Sequence, residues 1–162
     1  MPSNSVPLKG EKGWDVLMKQ RREFWAKPAN SKLSTNFRGQ EFYCNDGSAA
    51  QTNAQPAMKR LCVVFLEPMR KKFGTCFINS GYRHTLYNAS IGGAVNSQHI
   101  YDHTYENVAA DVRFAKGNPT QWAAELKRIR ASKNGGKGGV GLYVKQGFVH
   151  IDNRAYKADW TG

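Results

Sequence analysis

The side chains able to do chemistry in this chain are few. There are four histidines, His84, His99, His103 and His150. His99 and His103 fall in a long stretch with no helical or strand periodicity. His150 alternates with apolar residues in Val149-His-Ile-Asp152, and Asp111 lies in a second short apolar run, Ala109-Ala-Asp-Val-Arg113. Two imidazoles and one carboxylate make the N,N,O donor set of a catalytic zinc site, whose fourth position is kept for water. A metal held this way brings the pKa of its water down to roughly 7 and polarises a carbonyl. Ligands on neighbouring strands would be held rigidly. The bland alternative is a strand histidine that is merely hydrogen-bonded in a core. The three cysteines, Cys44, Cys62 and Cys76, form no CxxC pair and read as buried thiols.

The elements that must position these groups follow from periodicity. Trp14, Leu17, Met18, Arg21, Phe24 and Trp25 recur at helical spacing, which predicts a helix over 11–27. A second helix is expected over 57–72, with an apolar face from Met58 to Met69, a kink at Pro68 and Gly74 at its end. Thr75–Ile78 and Ala109–Ala115 read as strands, separated by an irregular region over 84–107. A loop of that length in a compact domain is uncommon and often functional. Asn118-Pro119 is a helix start, with Asn as cap and Pro in the first turn. Gly141–Val144 and Phe148–Ile151 read as strands joined by a tight turn through Gly147. This order predicts an α+β fold with a small antiparallel sheet flanked by helices.

The 162 residues are one domain's worth, and 40% are hydrophobic, which excludes wholesale disorder. No apolar run approaches the length of a membrane span. The start of the chain lacks the apolar core of a secretory signal. Lys and Arg number 24 against 12 Asp and Glu, a net charge of +12. Such an imbalance points to a polyanionic neighbour, although a purely solubilising surface would look the same. The basic residues are scattered rather than clustered, and no nucleic-acid recognition motif accompanies them.

The succession Ser80-Gly-Tyr-Arg83, Asn88, Gly92-Gly93, Asn96-Ser-Gln-His99, Ala109-Ala-Asp111 and Gly147-Phe-Val-His-Ile-Asp152 resembles the zinc-dependent D-Ala-D-Ala carboxypeptidase and L-alanyl-D-glutamate endopeptidase family. The segment from Phe37 to Gly47 and the Leu66–Arg70 helix fit the same family. The resemblance runs from about Asn36 to Arg154. It implies a hedgehog/DD-peptidase-like fold, with residues 36–162 as the zinc peptidase domain and 1–35 as a helical arm outside it. It implies Zn2+ held by His99, Asp111 and His150. It implies Arg83 as the cation that stabilises a tetrahedral oxyanion, and Ser97, Tyr82 and His103 as substrate contacts.

Two departures stand out. In the family motif, Ser-x-His-x-x-Gly-x-Ala-x-Asp, the carboxylate follows the first histidine more closely; here Asp111 stands twelve residues after His99. His103 lies inside the extra length and is the alternative first ligand, but Ser97-Gln-His99 keeps the motif's context. Many members also carry a catalytic Glu three residues before the last histidine, and here that position is Gly147. Asp152 shares a strand face with His150 and is the general base expected in its place. Orienting His150 and ligating the metal are its other possible roles.

The resemblance thus implies a zinc metallopeptidase that hydrolyses peptidoglycan stem peptides, as a phage endolysin or virion-associated murein hydrolase. Its positive charge would favour anionic cell-wall polymers. The expected form is a monomer, with no specific nucleic-acid partner. It would be held in the host cytoplasm before release to the wall, or packed in a virion. Two rivals stand beside this: an inactive structural or wall-binding module of the same fold, and, ranked last, a nucleic-acid-binding protein.

Overall fold

The structure is a computed structural model and describes residues 7–101 and 107–162. In chain order the elements are α1 (Trp14–Ala26), α2 (Pro28–Ser31), α3 (Gln55–Leu61), α4 (Glu67–Phe73), β1 (Cys76–Ser80), α5 (Thr85–Ser90), β2 (Ala109–Phe114), α6 (Pro119–Lys133), β3 (Gly138–Tyr143), β4 (Phe148–Asp152) and β5 (Lys157–Thr161). The strands form one sheet in the order β1-β2-β4-β3-β5. This is the expected α+β architecture. It differs in one respect: β5 was not foreseen, and it runs parallel to β3 while all other pairs are antiparallel. Its sequence, Lys-Ala-Asp-Trp-Thr, alternates polar and apolar residues too weakly to announce a strand.

The sheet has two chemically different faces. Ala110, Val112, Val149 and Ile151 are buried in the hydrophobic core, together with Leu126 and Ile129 of α6 and Leu61, Phe65 and Met69 of the 55–73 helical run. The intervening residues Asp111, His150 and Asp152 point to the opposite face, as a period of two requires. In that helical run, the turn Cys62–Leu66 widens to a π-helix, and the Glu67 N–H reaches the Cys62 carbonyl. Pro68 follows immediately and has no N–H to give to the carbonyl four residues back. The π turn takes up that break, so the expected kink is a local widening. Asn118 caps α6 as expected: its side chain accepts from the Gln121 N–H, and Gln121 returns a bond to the Asn118 N–H.

The stretch 84–107 is less irregular than its composition implied. It contains α5, whose cap is His84: the Nδ1 atom accepts the Tyr87 N–H at 3.3 Å. Gly93 is required after it, because any Cβ there would overlap the Asn88 carboxamide.

Helix α1, which precedes the family-like region expected from residue 36, packs on the common core. Trp14, Met18 and Trp25 of α1 belong to the same buried cluster as the sheet's inner face. Trp25 is fully buried, and its indole N–H donates to the Ala50 carbonyl at 2.9 Å. Buried Arg21 donates to the Ala49 carbonyl at 3.2 Å. Trp25→Ala should therefore destabilise the whole domain by about 3–5 kcal/mol, read as a single lowered urea midpoint. A second, independent transition would show α1 to be a detachable arm.

Candidate metal centre

Register across the sheet builds the centre. Asp111 pairs with His150 across β2 and β4, and both side chains rise from the same face. His99 reaches them from the loop after α5. That loop is anchored by the Arg83 N–H on the His99 carbonyl at 2.9 Å and by Ser97 Oγ, which accepts the His99 N–H at 3.2 Å. On its far side, the Asn107 amide donates to Gln98 Oε1 at 2.7 Å. The two described ends of the extra length between His99 and Asp111 are thus clasped together. The extra length therefore does not keep the two side chains apart.

Asp111 Oδ1 lies 3.2 Å from His99 Nε2 and 2.9 Å from His150 Nδ1. The two imidazoles meet edge to face at 5.0 Å. The partners on their other sides fix their protons. His99 Nδ1 stands 2.7 Å from the Gly81 carbonyl, which only accepts, so Nδ1 carries the hydrogen. His150 Nε2 stands 2.7 Å from Asp152 Oδ2, so it too carries a hydrogen. In the neutral rings, His99 Nε2 and His150 Nδ1 then both aim lone pairs at a carboxylate oxygen. Three acceptors face one another with no donor between them. A proton relieves at most one of the two contacts, whereas a divalent cation relieves both. The donor set therefore fits a metal.

The protonation tendencies of the two rings differ. Burial pushes His99 below its ordinary pKa, outweighing the hydrogen bond and charge of Asp111. Burial opposes a charged His150 as well, but hydrogen bonds to Asp111 and Asp152 outweigh it and raise that pKa. Asp111 is held well below the usual carboxylate range: burial acts against this, and the bonds from His150 and His99 prevail.

Asp152, expected as the general base, is not among the residues that line the cleft. It is fully buried behind His150, away from the cavity. Its Oδ1 accepts from the Gly139 N–H at 3.0 Å and from Arg154 Nε at 2.8 Å, and its Oδ2 accepts from Arg154 at 2.7 Å besides His150. Arg154 and His150 keep its pKa well below the usual range against the effect of burial. Every lone pair that matters is engaged, and the geometry makes it the group that orients His150. Among the described residues lining the cavity, the only carboxylate is Asp111.

Tyr82 is also placed differently from expectation. It is buried between Phe42, Met58 and Tyr101, in a small internal space behind His99. Its neighbour Arg83 turns the other way and lines the cavity, so the two cannot both face a substrate. Arg83 is held by Ser80 Oγ at 3.0 Å, Asn88 Oδ1 at 3.4 Å and Asp111 Oδ2 at 3.2 Å. Ser97 lines the same cavity, a cleft of about 650 Å3 that also exposes Tyr143, Phe148, Arg154, Tyr156 and Trp160. None of these last five was expected at the site. The expectation for His103 lies outside the described residues.

A second group, Cys44, Asp46 and His84, also converges. There His84 Nε2 gives its hydrogen to Asp46 Oδ2 at 2.6 Å, while Nδ1 accepts from Tyr87. Donors and acceptors match, and the group fastens the 44–48 loop to the start of α5.

Asp152→Asn should weaken binding of Co2+, followed by its visible absorption, by about 10–100-fold without unfolding the chain. Metal must displace the proton that His150 retains above its ordinary pKa. Co2+ affinity should therefore be level above that raised value and fall as the pH drops through it. Unchanged affinity in the variant would remove Asp152 from this role.

Comparison with known proteins gives one match. The family model described as Peptidase M15 matches residues 35–152. No curated protein and no solved structure matched. No helix among the described residues is long and apolar enough to cross a membrane. The matched region covers most of the chain and includes His99, Asp111 and His150, and on that ground the chain belongs to the peptidase M15 family.

Proposed function

We propose that this chain is a zinc peptidase that hydrolyses peptide bonds of bacterial peptidoglycan, in the role of a lysin or a virion-carried murein hydrolase. The observation that carries the reading is the meeting of three metal-ligating side chains, His99, Asp111 and His150, within one open cleft. Zinc bound there would act as a Lewis acid and a source of reactive water at neutral pH. Arg83 lines the same cleft with its guanidinium fixed by three acceptors. A cation fixed in this way is suited to charge that develops on a carbonyl oxygen. Ser97 offers a hydroxyl at the rim, and Asp152 with Arg154 keeps His150 turned toward the metal. The net charge of +12 supports an anionic target such as wall polymers, to which diffuse attraction would hold the enzyme.

One observation favours a second reading, a metal-binding wall module without turnover: no carboxylate other than Asp111 lines the cleft among the described residues. The two readings part on purified cell walls. The zinc-loaded protein should release new amino termini, a chelator should stop the release, and added zinc should restore it. Arg83→Ala should lower kcat by about 10^2–10^3 with zinc content retained. Zinc bound at one equivalent with no peptide release from walls would establish the module instead.

A further inference from the structure

Part of the cleft lining, Arg154, Tyr156 and Trp160, comes from residues after the family region. Trp160 on β5 lies in register with Gly141 on β3, which is itself in register with His150. A Cβ at Gly141 would come within 2.6 Å of the Trp160 indole, so the missing side chain is what lets the indole lie across β3. Its ring then packs on the His150 imidazole at 4.9 Å. Gly139, two residues earlier on the same face, is bare for the same reason: a Cβ there would overlap Asp152 and Arg154.

The aromatic groups continue outward as one run. The Trp160 indole N–H donates to the Tyr143 hydroxyl at 2.8 Å. Tyr143 stacks on Phe148, with ring centres 4.4 Å apart and planes 11° from parallel. On the other side, the Arg154 guanidinium sits 5.2 Å from the Trp160 ring and 5.4 Å from the Tyr156 ring. Tyr156 is 60% exposed and so is open to a ligand from the cleft. All five residues line the same cleft as the candidate metal ligands.

The chemistry of this wall is specific. Arg154 is already paired with Asp152, so the wall is not a free anion site. The indole N–H is spent on Tyr143, so Trp160 offers a ring face rather than a donor. The Tyr143 oxygen accepts that N–H and keeps its own hydrogen to give. The surface is therefore flat aromatic faces edged with phenol hydroxyls. A pyranose ring has the complementary pattern, with C–H groups on its face and hydroxyls on its rim.

We propose that Trp160, Tyr156, Tyr143 and Phe148 form a sugar-ring subsite, so that the preferred substrate is a stem peptide still attached to its glycan. The proposal deepens the peptidoglycan reading and rests on it, but its binding half can be tested without any cleavage. The probe is an N-acetylglucosamine tetramer, titrated into the full-length protein with and without zinc and followed by tryptophan fluorescence. Saturable quenching is expected in both forms, weakened at least about fivefold by Tyr156→Ala. That residue's exposure makes loss of folding an inadequate explanation, and circular dichroism of the variant checks it.

In the zinc-loaded enzyme, a glycan-linked peptide should have a higher kcat/KM than the same peptide without sugar, with the difference mainly in KM. Tyr156→Ala should collapse that preference. Trp160→Phe, which keeps a ring but loses the bond to Tyr143, should reduce it in part. Absence of tetramer binding, or equal kcat/KM for the two substrates, overturns the subsite. Tetramer binding that Tyr156→Ala weakens, in a protein that cleaves nothing, upholds the subsite and defeats the peptidase reading alone.

Discussion

The structure turns on one carboxylate oxygen. Asp111 Oδ1 faces two imidazole nitrogens whose hydrogens are committed elsewhere, to the Gly81 carbonyl and to Asp152. With both rings neutral this is a buried cluster of mutually repelling acceptors; a proton on His150 relieves only its own contact with Asp111. Two guanidiniums balance the two carboxylates of the site, Arg83 on Asp111 and Arg154 on Asp152. They leave the nitrogen lone pairs untouched. The charges are tolerable because each is paired and hydrogen-bonded. The three converging donor atoms form an electron-rich point that suits a Lewis acid.

That point is held by a single row across the sheet. Ser80, Asp111, His150, Gly141 and Trp160 are successive register partners from β1 to β5. Ser80 fixes Arg83, Asp111 and His150 supply donors, Gly141 clears space, and Trp160 covers the imidazole. A strand slipped by one residue would turn Asp111 or His150 into the apolar core. The packing of Val112, Val149 and Ile151 on the other face therefore enforces the register that the site needs. Stability and chemistry share one constraint here.

Much of this was readable in the sequence, and the failures have physical causes. The residue types of His99, Asp111 and His150 declared a donor set, and strand alternation placed His150 and Asp152 on one face. Alternation could not say that Arg154 would take the far side of Asp152, since that bond depends on a bend after β4 and on the bare Gly139. Tyr82 sat beside Arg83 in a motif, yet adjacent side chains in an extended segment diverge, and burial took the aromatic one. β5 escaped notice because an edge strand paired on one side needs little hydrophobic pattern. With it went Trp160, whose meaning comes from lying over Gly141, a contact between positions nineteen residues apart. The extra length between His99 and Asp111 looked like a threat to the motif. The Gln98–Asn107 clasp shows how a loop can lengthen while its ends stay put.

The two histidine clusters make the strongest case for reading hydrogens rather than residue names. Cys44, Asp46 and His84 offer sulfur, oxygen and nitrogen as close together as His99, Asp111 and His150 do. In the first, the imidazole gives its hydrogen to the carboxylate and takes one from the Tyr87 backbone, so each contact has one donor and one acceptor. A metal would have to break the cap of α5 to enter. In the second, the outward contacts use up both ring hydrogens, and the inward contacts have none. Both groups bring their ligand atoms within 4.8 Å of one another, and they differ in what the other nitrogen of each ring is doing. The Gly81 carbonyl and the Asp152 carboxylate are what distinguish the candidate metal centre from the hydrogen-bond network around His84.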